Sequence, residues 1–349
     1  ADLRLGIMLQ CWNRVFMSTI AAAADTSIMR RGIAWPSHAA RHVGAAALVL
    51  VMLLTVADVV LRNLFSIVVP GGMELTGLLM VFVALSTLSL VELDRGHIRV
   101  DVLLQAVPEF VRLPLVAGGL LLTFATICVA ALQILFQATY LRGNGIMTGV
   151  LGVPEWPFAL AAAVFMAFFA LAILNNLAAT LAEIARLRDS RAIVMTLVWA
   201  LIAASLIYFT FRPTDLPFDI PREMRGPVCI VLCFVLIFLG VHIAAAMAIS
   251  AVLGMSLLIN PIASLTSLGS TTLDVVRDQT WSAVPLFTWM GLIVVASGFA
   301  ESLYRSAYKW IGHLPGGLAS ASTVACAGLS SIVGDTLSGV YSMGSIALP

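Results

Sequence analysis

Polar and apolar positions along this chain fall in long blocks rather than alternating, and the charge-free blocks mark where helices can cross a membrane. A crossing helix needs about 20 apolar residues. Val43 to Leu61 contains one charge, Asp58, while Leu75 to Val91, Leu113 to Leu141 and Trp156 to Ala182 contain none. Ala192 to Phe211 follows, then the long run Gly226 to Leu273, then Gln279 to Ala300. Trp310 to Gly334 and Thr336 to Pro349 close the chain, separated by Asp335. Lipid admits only helices or closed barrels, and runs of this length predict helices. The expectation is an all-α polytopic membrane protein with about seven transmembrane helices plus a terminal re-entrant helical hairpin. The run from Gly226 to Asn260 would reach about 50 Å as one helix, too long for an upright crossing, so it is either strongly tilted or broken near Gly240.

Composition agrees. Of the 349 residues, 61% are hydrophobic and 11% charged, against roughly 45–50% and 25% in soluble domains. The mean hydropathy is +1.04. These values exclude a soluble enzyme and a disordered chain, and a net charge of +1 gives no field for nucleic acid. Arginine placement sets the orientation. Arg4, Arg14, Arg30, Arg31 and Arg41 precede the first run, Arg95, Arg99 and Arg112 separate the second from the third, and Arg186, Arg188 and Arg191 follow the fourth. Among the first four runs the opposite loops hold Arg62 and Arg142, while the later loops discriminate poorly, since Arg212, Arg222 and Arg225 fall on that side too. The positive-inside rule then places the N-terminus in the cytoplasm. Residues 1–42 are expected to form a cytoplasmic N-terminal extension, interfacial or disordered, because arginines run through them.

Polar groups within such blocks are expensive in lipid, so each is a functional candidate. Asp58 and Arg62 stand four apart and can pair along a helix, and Glu74 opens the next span. All three lie near a boundary and read as structural anchors. The segment Glu92 to Asp101 mixes acids and arginines with His97. His97 with Asp101 would suit acid–base chemistry, but no nucleophile motif lies nearby, and a cytoplasmic turn broken at Gly96 is the plainer reading. His242 lies alone in an apolar run and reads as a packed imidazole. Cys229 and Cys233 share a helix face and read as packing, since no third ligand is near. Neither GxSxG nor HExxH nor a phosphate loop occurs, so nothing points to an enzyme or an ATP-driven pump. The segment Gly328 to Gly339 is different: it sets Ser331, Gly334, Asp335, Thr336 and Ser338 in an apolar stretch. Unwound carbonyls and hydroxyls there could ligate sodium or face an anionic substrate, whereas close packing through small residues would have no use for Asp335.

These residues together resemble the membrane subunits of a TRAP (tripartite ATP-independent periplasmic) transporter. Asp58-Val-Val-Leu-Arg62-Asn63, Glu74-Leu-Thr76, Gly96-His97-Ile98-Arg99-Val100-Asp101 and Pro154-Glu155-Trp156 resemble the small subunit. Val284-Pro285-Leu286-Phe287 through Met290-Gly291, Pro315-Gly316-Gly317-Leu318 and Gly344 to Pro349 resemble the start of the large one. The resemblance implies a secondary active symporter importing organic acids, such as C4-dicarboxylates, from a periplasmic substrate-binding protein. It implies a bacterial inner membrane location and no cofactor beyond sodium as the coupling ion. It also implies a domain order: 43–190 a small-subunit-like four-helix domain, 191–225 a connecting helix and loop, and 226–349 the N-terminal part of the large-subunit-like transport domain. The remainder of the large subunit is expected beyond Pro349, and a truncated chain acting as a non-transporting scaffold is the alternative. Where the family commonly reads Gly-Ser-Ser, this chain has Gly334-Asp335-Thr336, which leaves sodium and proton coupling both open.

Overall fold

The computed structural model describes residues 27–97, 107–187, 190–211 and 221–333. Regular structure among them is helical, apart from one isolated bridge between Met147 and Pro154. The helices are α1 (Ser27–Phe65), α2 (Gly72–Leu85), α3 (Leu88–Leu93), α4 (Glu109–Gly143), α5 (Trp156–Leu187), α6 (Ser190–Phe211), α7 (Arg222–Phe238), α8 (Ile243–Leu258), α9 (Pro261–Arg277), α10 (Ala283–Ala296), α11 (Phe299–Ile311) and α12 (Gly317–Val333). The chain divides into two compact units, residues 1–45 with 81–275, and residues 46–80 with 276–349.

In the first unit α4 and α5 form a long helical hairpin. Its connection turns at Gly145 and Gly152, both at positive φ. Thr148 closes this loop, its N–H donating to the Val153 carbonyl while its hydroxyl accepts the Val153 N–H. At the base of the hairpin the Arg142 guanidinium lies 5.1 Å from the centroid of the Trp156 ring. Helix α3 packs on α5, and α6 packs on α4. The latter approach is close because Gly118 leaves room for the Trp199 ring: a Cβ at Gly118 would stand 2.8 Å from it. Leu115, Leu122, Trp199, Ala203, Leu236, Val241, Ala245 and Ala246 make the core where α4, α6, α7 and α8 meet.

The run from Gly226 to Asn260 is indeed broken at Gly240, and the break is a reversal of direction. Gly240 has φ +85, a left-handed turn that glycine adopts without penalty. Helices α7 and α8 return antiparallel: Arg225 near the start of α7 reaches Leu257 near the end of α8, and Cys229 Sγ lies against Gly254. Each helix is about 25 Å long.

In the second unit α10 ends at Ala296, Gly298 follows at φ +73, and the chain bends by 67° into α11. Helix α11 is amphipathic. Glu301, Arg305 and Lys309 follow one stripe, while Ala300, Leu303, Tyr304 and Ala307 pack with Ala325 and Leu329 of α12.

Among the described residues, four helical stretches are long and apolar enough to cross a membrane: Gly32–Phe65, Gly72–Leu93, Phe110–Gly143 and Trp156–Arg186. The bent pair Gln279–Val294 with Phe299–Ile311 makes a fifth. Within the sixth charge-free run the helix is cut at Gly240 and again at Asn260-Pro261. At the N-terminal end α1 is continuous through residue 42, where the extension was expected to finish.

Candidate functional site: a buried carboxylate between two histidines

The sequence marks Asp58, Arg62, Glu74, His97, Arg99, Asp101 and the segment Ser331 to Ser338. Arg99, Asp101, Gly334, Asp335, Thr336 and Ser338 lie outside the described residues. Ser331, in the last turn of α12, donates its hydroxyl to the Gly328 carbonyl at 2.8 Å. Arg62 donates to Asp58 Oδ2 at 2.6 Å along α1, and Asp58 Oδ1 accepts the Val69 N–H at 3.2 Å, closing the turn after the helix. Glu74 stands half-buried in the first turn of α2.

His97 sits beside a residue that the sequence reading left unassigned. Glu92, in α3, is completely buried. A buried carboxylate is tolerated only when donors or cations surround it, and three elements bring such groups to Glu92, while a fourth holds one of the histidines. From α5, Asn176 spends both N–H groups of its amide on Glu92, one on the backbone carbonyl at 2.7 Å and one on Oε1 at 2.9 Å. From the start of α8, His242 Nε2 stands 3.3 Å from Oε2. From the turn after α3, His97 Nε2 stands 3.9 Å from the same oxygen. The two imidazoles meet edge to face, 5.7 Å between centroids, and His97 also packs on Phe169. From α4, the Thr123 hydroxyl lies 3.0 Å from His242 Nδ1 and 2.8 Å from the Gly119 carbonyl.

Local sequence explains why these groups converge. Arg95 adopts φ +53 and Gly96 follows, so the chain leaves α3 in a tight turn that brings His97 back over Glu92. Gly119 has no side chain, which lets the Gly240–Val241 turn press against α4; a Cβ there would stand 3.1 Å from the Gly240 oxygen. His242 is the residue just before the first turn of α8, so the reversal at Gly240 aims its ring at Glu92. His242 is therefore a paired residue, where the sequence alone suggested simple packing. The signal that could have found the site was the presence of Asn176 and His242 in otherwise apolar runs. Among the described residues no group of three or more His, Cys, Asp or Glu could hold a metal ion.

Residues 51–183 match the family described as Tripartite ATP-independent periplasmic transporters, DctQ component, and residues 230–349 match its DctM component. A 110-residue stretch is 33% identical to the C4-dicarboxylate TRAP transporter large permease protein DctM of Vibrio cholerae, covering 31% of this chain and 24% of that protein. An 85-residue stretch is 34% identical to the protein of the same name from Pseudomonas aeruginosa, covering 24% of this chain and 20% of that protein. The chain thus matches about a quarter or less of the length of these relatives. Glu92, His97, Thr123 and Asn176 lie in the DctQ match and His242 in the DctM match, so the buried cluster joins the two. The chain belongs to the tripartite ATP-independent periplasmic transporters, as a multi-pass membrane protein that fuses a small and a large component.

Proposed function

We propose that the chain is the membrane component of a secondary symporter that imports organic anions of the C4-dicarboxylate type, delivered by a periplasmic substrate-binding protein and driven by a sodium gradient. The observation that carries this reading is the order of the matches: a DctQ-type segment followed by a DctM-type segment in one chain. Both DctM relatives are C4-dicarboxylate TRAP transporter large permease proteins, which supports the C4-dicarboxylate class. The small-component segment braces the large one within the bacterial inner membrane, with the N-terminus in the cytoplasm. Ser331, Gly334, Asp335, Thr336 and Ser338 form the substrate and coupling-ion hairpin.

The test is uptake of a labelled C4-dicarboxylate by cells whose sole TRAP membrane component is the gene for this chain, co-expressed with a dicarboxylate-binding protein. Uptake is expected only with an inward sodium gradient. Uptake that persists after a sodium ionophore collapses the gradient overturns sodium coupling. Asp335→Asn is expected to abolish uptake or change its ion dependence while the protein still inserts.

A further inference from the structure

We propose that Cys229, Cys233 and Met255 form a binding site for a soft monovalent metal ion, of the Cu(I) and Ag(I) class, between α7 and α8. A groove of about 410 Å³ runs along this hairpin. Four sulfur-bearing side chains line it: Cys229 and Cys233 from α7, Met247 and Met255 from α8. Among its lining residues only Ser250 carries a side-chain oxygen. Thiolates and thioethers favour Cu(I), whereas hard cations require several oxygens. The donor set therefore selects a soft ion.

Spacing decides which sulfurs share the ion. Cys229 and Cys233 stand one turn apart, which sets their Cβ atoms about 5–6 Å apart on one face of α7. Two sulfurs bound to one metal at about 2.3 Å each are at most about 4.6 Å apart, so both thiols reach one ion without moving the helix. Helix α8 supplies the third donor. The helices are antiparallel, and Cys229 Sγ lies 3.3 Å from where a Cβ on Gly254 would stand. Cys233, one turn on, is then level with Ser250. Side chains on a helix lean toward its N-terminus. Met255 therefore leans from the level of Cys229 toward that of Cys233, which sets its thioether between the two thiols. Met247 lines the groove eight residues away, about 12 Å nearer the Gly240 turn. The third donor is a methionine, so the site falls outside groups of His, Cys, Asp and Glu.

The charges also balance. Each thiol binds as a thiolate and gives its proton to solvent. Two thiolates, one monovalent cation and a neutral thioether leave one negative charge. Arg225 stands one turn before Cys229 on the same face of α7 and brings a positive charge to that end. Its guanidinium bonds the Leu257 carbonyl, two residues beyond Met255. The bound ion thus joins α7 to α8 between that bond and the Gly240 turn. The site depends neither on the substrate nor on the ion that drives transport.

The test is competition for Cu(I) between the full chain in nanodiscs and bathocuproine disulfonate under anaerobic, reducing conditions. Cys11, Cys128 and Cys326 are replaced by alanine to remove the other thiols. One Cu(I) per chain is expected. Cys229→Ser and Cys233→Ser should each weaken binding at least about a hundredfold, the upper end of what loss of an outer partner costs. Met255→Leu should weaken it about tenfold, and Met247→Leu should leave it unchanged. X-ray absorption of the copper-loaded chain, with both groove cysteines in place, should give a shell of three sulfurs at about 2.3 Å. Failure to retain copper, or a shell of nitrogen and oxygen, overturns the site. Copper held as tightly after Cys229→Ser and Cys233→Ser sits elsewhere and overturns it too. A loss with Met247→Leu and none with Met255→Leu overturns Met255 as the third donor.

Discussion

Arg225, in the first turn of α7, donates Nη1–H to the carbonyl of Leu257, in the last turn of α8, at 2.6 Å. The bond ties the open ends of the hairpin that Gly240 turns. The last carbonyls of a helix have no partner within it, and a cationic donor there also meets the negative end of the helix dipole. Hydrogen bonds to charged groups contribute about 1.5–3 kcal/mol. Arg225→Met should therefore lower the thermal unfolding midpoint of the detergent-solubilised protein, and Arg225→Lys should recover part of the loss. Equal midpoints for the unmodified chain and Arg225→Met would show that the bond contributes nothing.

The α4–α6 contact rests on a missing side chain. A Cβ at position 118 would meet three atoms of the Trp199 indole at 2.8–2.9 Å, and that ring is itself buried. Gly118→Ala should destabilise by about 1–3 kcal/mol through overpacking. Trp199→Leu alone leaves a cavity, yet in the Gly118→Ala background it should restore stability. The coupling energy of the double-mutant cycle is the measurement, and additive losses would show that the two residues do not touch.

The fold class was readable from the blocks of missing charge, because lipid leaves few other solutions for such a chain. The direction of the chain at Gly240 was not. A soluble hairpin announces its turn with polar residues, whereas here the turn is Leu239-Gly240-Val241 inside an apolar run, and only the φ of Gly240 marks it. Glu92 was hidden for a different reason. Beside Asp94 and Arg95 it reads as one more charge of a solvated turn. What buries it are Asn176 and His242, 84 and 150 positions away, and a single sequence carries no record of such pairings.

The Asp58–Arg62 pair looks like an anchor, but its two bonds contribute unequally. The Arg62 side chain is half exposed, and exposed ion pairs contribute about 0–1 kcal/mol. Asp58 Oδ1 also holds the Val69 N–H, which fixes the turn between α1 and α2. Arg62→Ala should leave the unfolding midpoint nearly unchanged, while Asp58→Ala should lower it and speed protease nicking between residues 66 and 71. Equal effects from the two variants would assign the role to the ion pair instead.

Asp278 opens the turn before α10 by accepting both the backbone N–H and the hydroxyl of Thr280, which hold its carboxyl below the ordinary carboxylate range. A depressed folded value means that the carboxylate's stabilisation is fully present above the unfolded value, about 3.9, and is lost as pH falls through the lower folded value. A ¹³C-carboxyl titration should give Asp278 a midpoint below that of an unstructured aspartate. Thr280→Val, which removes the hydroxyl donor, should raise that midpoint, and an unmoved midpoint would show that the hydroxyl bond has no hold on the charge.

Asn176 tests how Glu92 is held. The Asn176 amide donates to the Glu92 backbone carbonyl and to Oε1. Two substitutions separate hydrogen bonding from charge. Asn176→Leu keeps the volume but removes both donors, leaving a buried carboxylate with less solvation, at a cost of about 1.5–3 kcal/mol. Asn176→Asp keeps the shape and sets a second acid against Glu92. It should be the worse variant at pH 8 and should recover as pH falls, because one shared proton relieves the repulsion of two neighbouring carboxylates. Asn176→Leu should recover less, since it sets no second acid against Glu92. Thermal unfolding of the three chains at pH 8 and pH 5 reads the distinction. If Asn176→Asp is no more sensitive to pH than Asn176→Leu, the side chain at 176 does not sense the charge on Glu92, and Asn176 holds α3 to α5 through the backbone carbonyl alone.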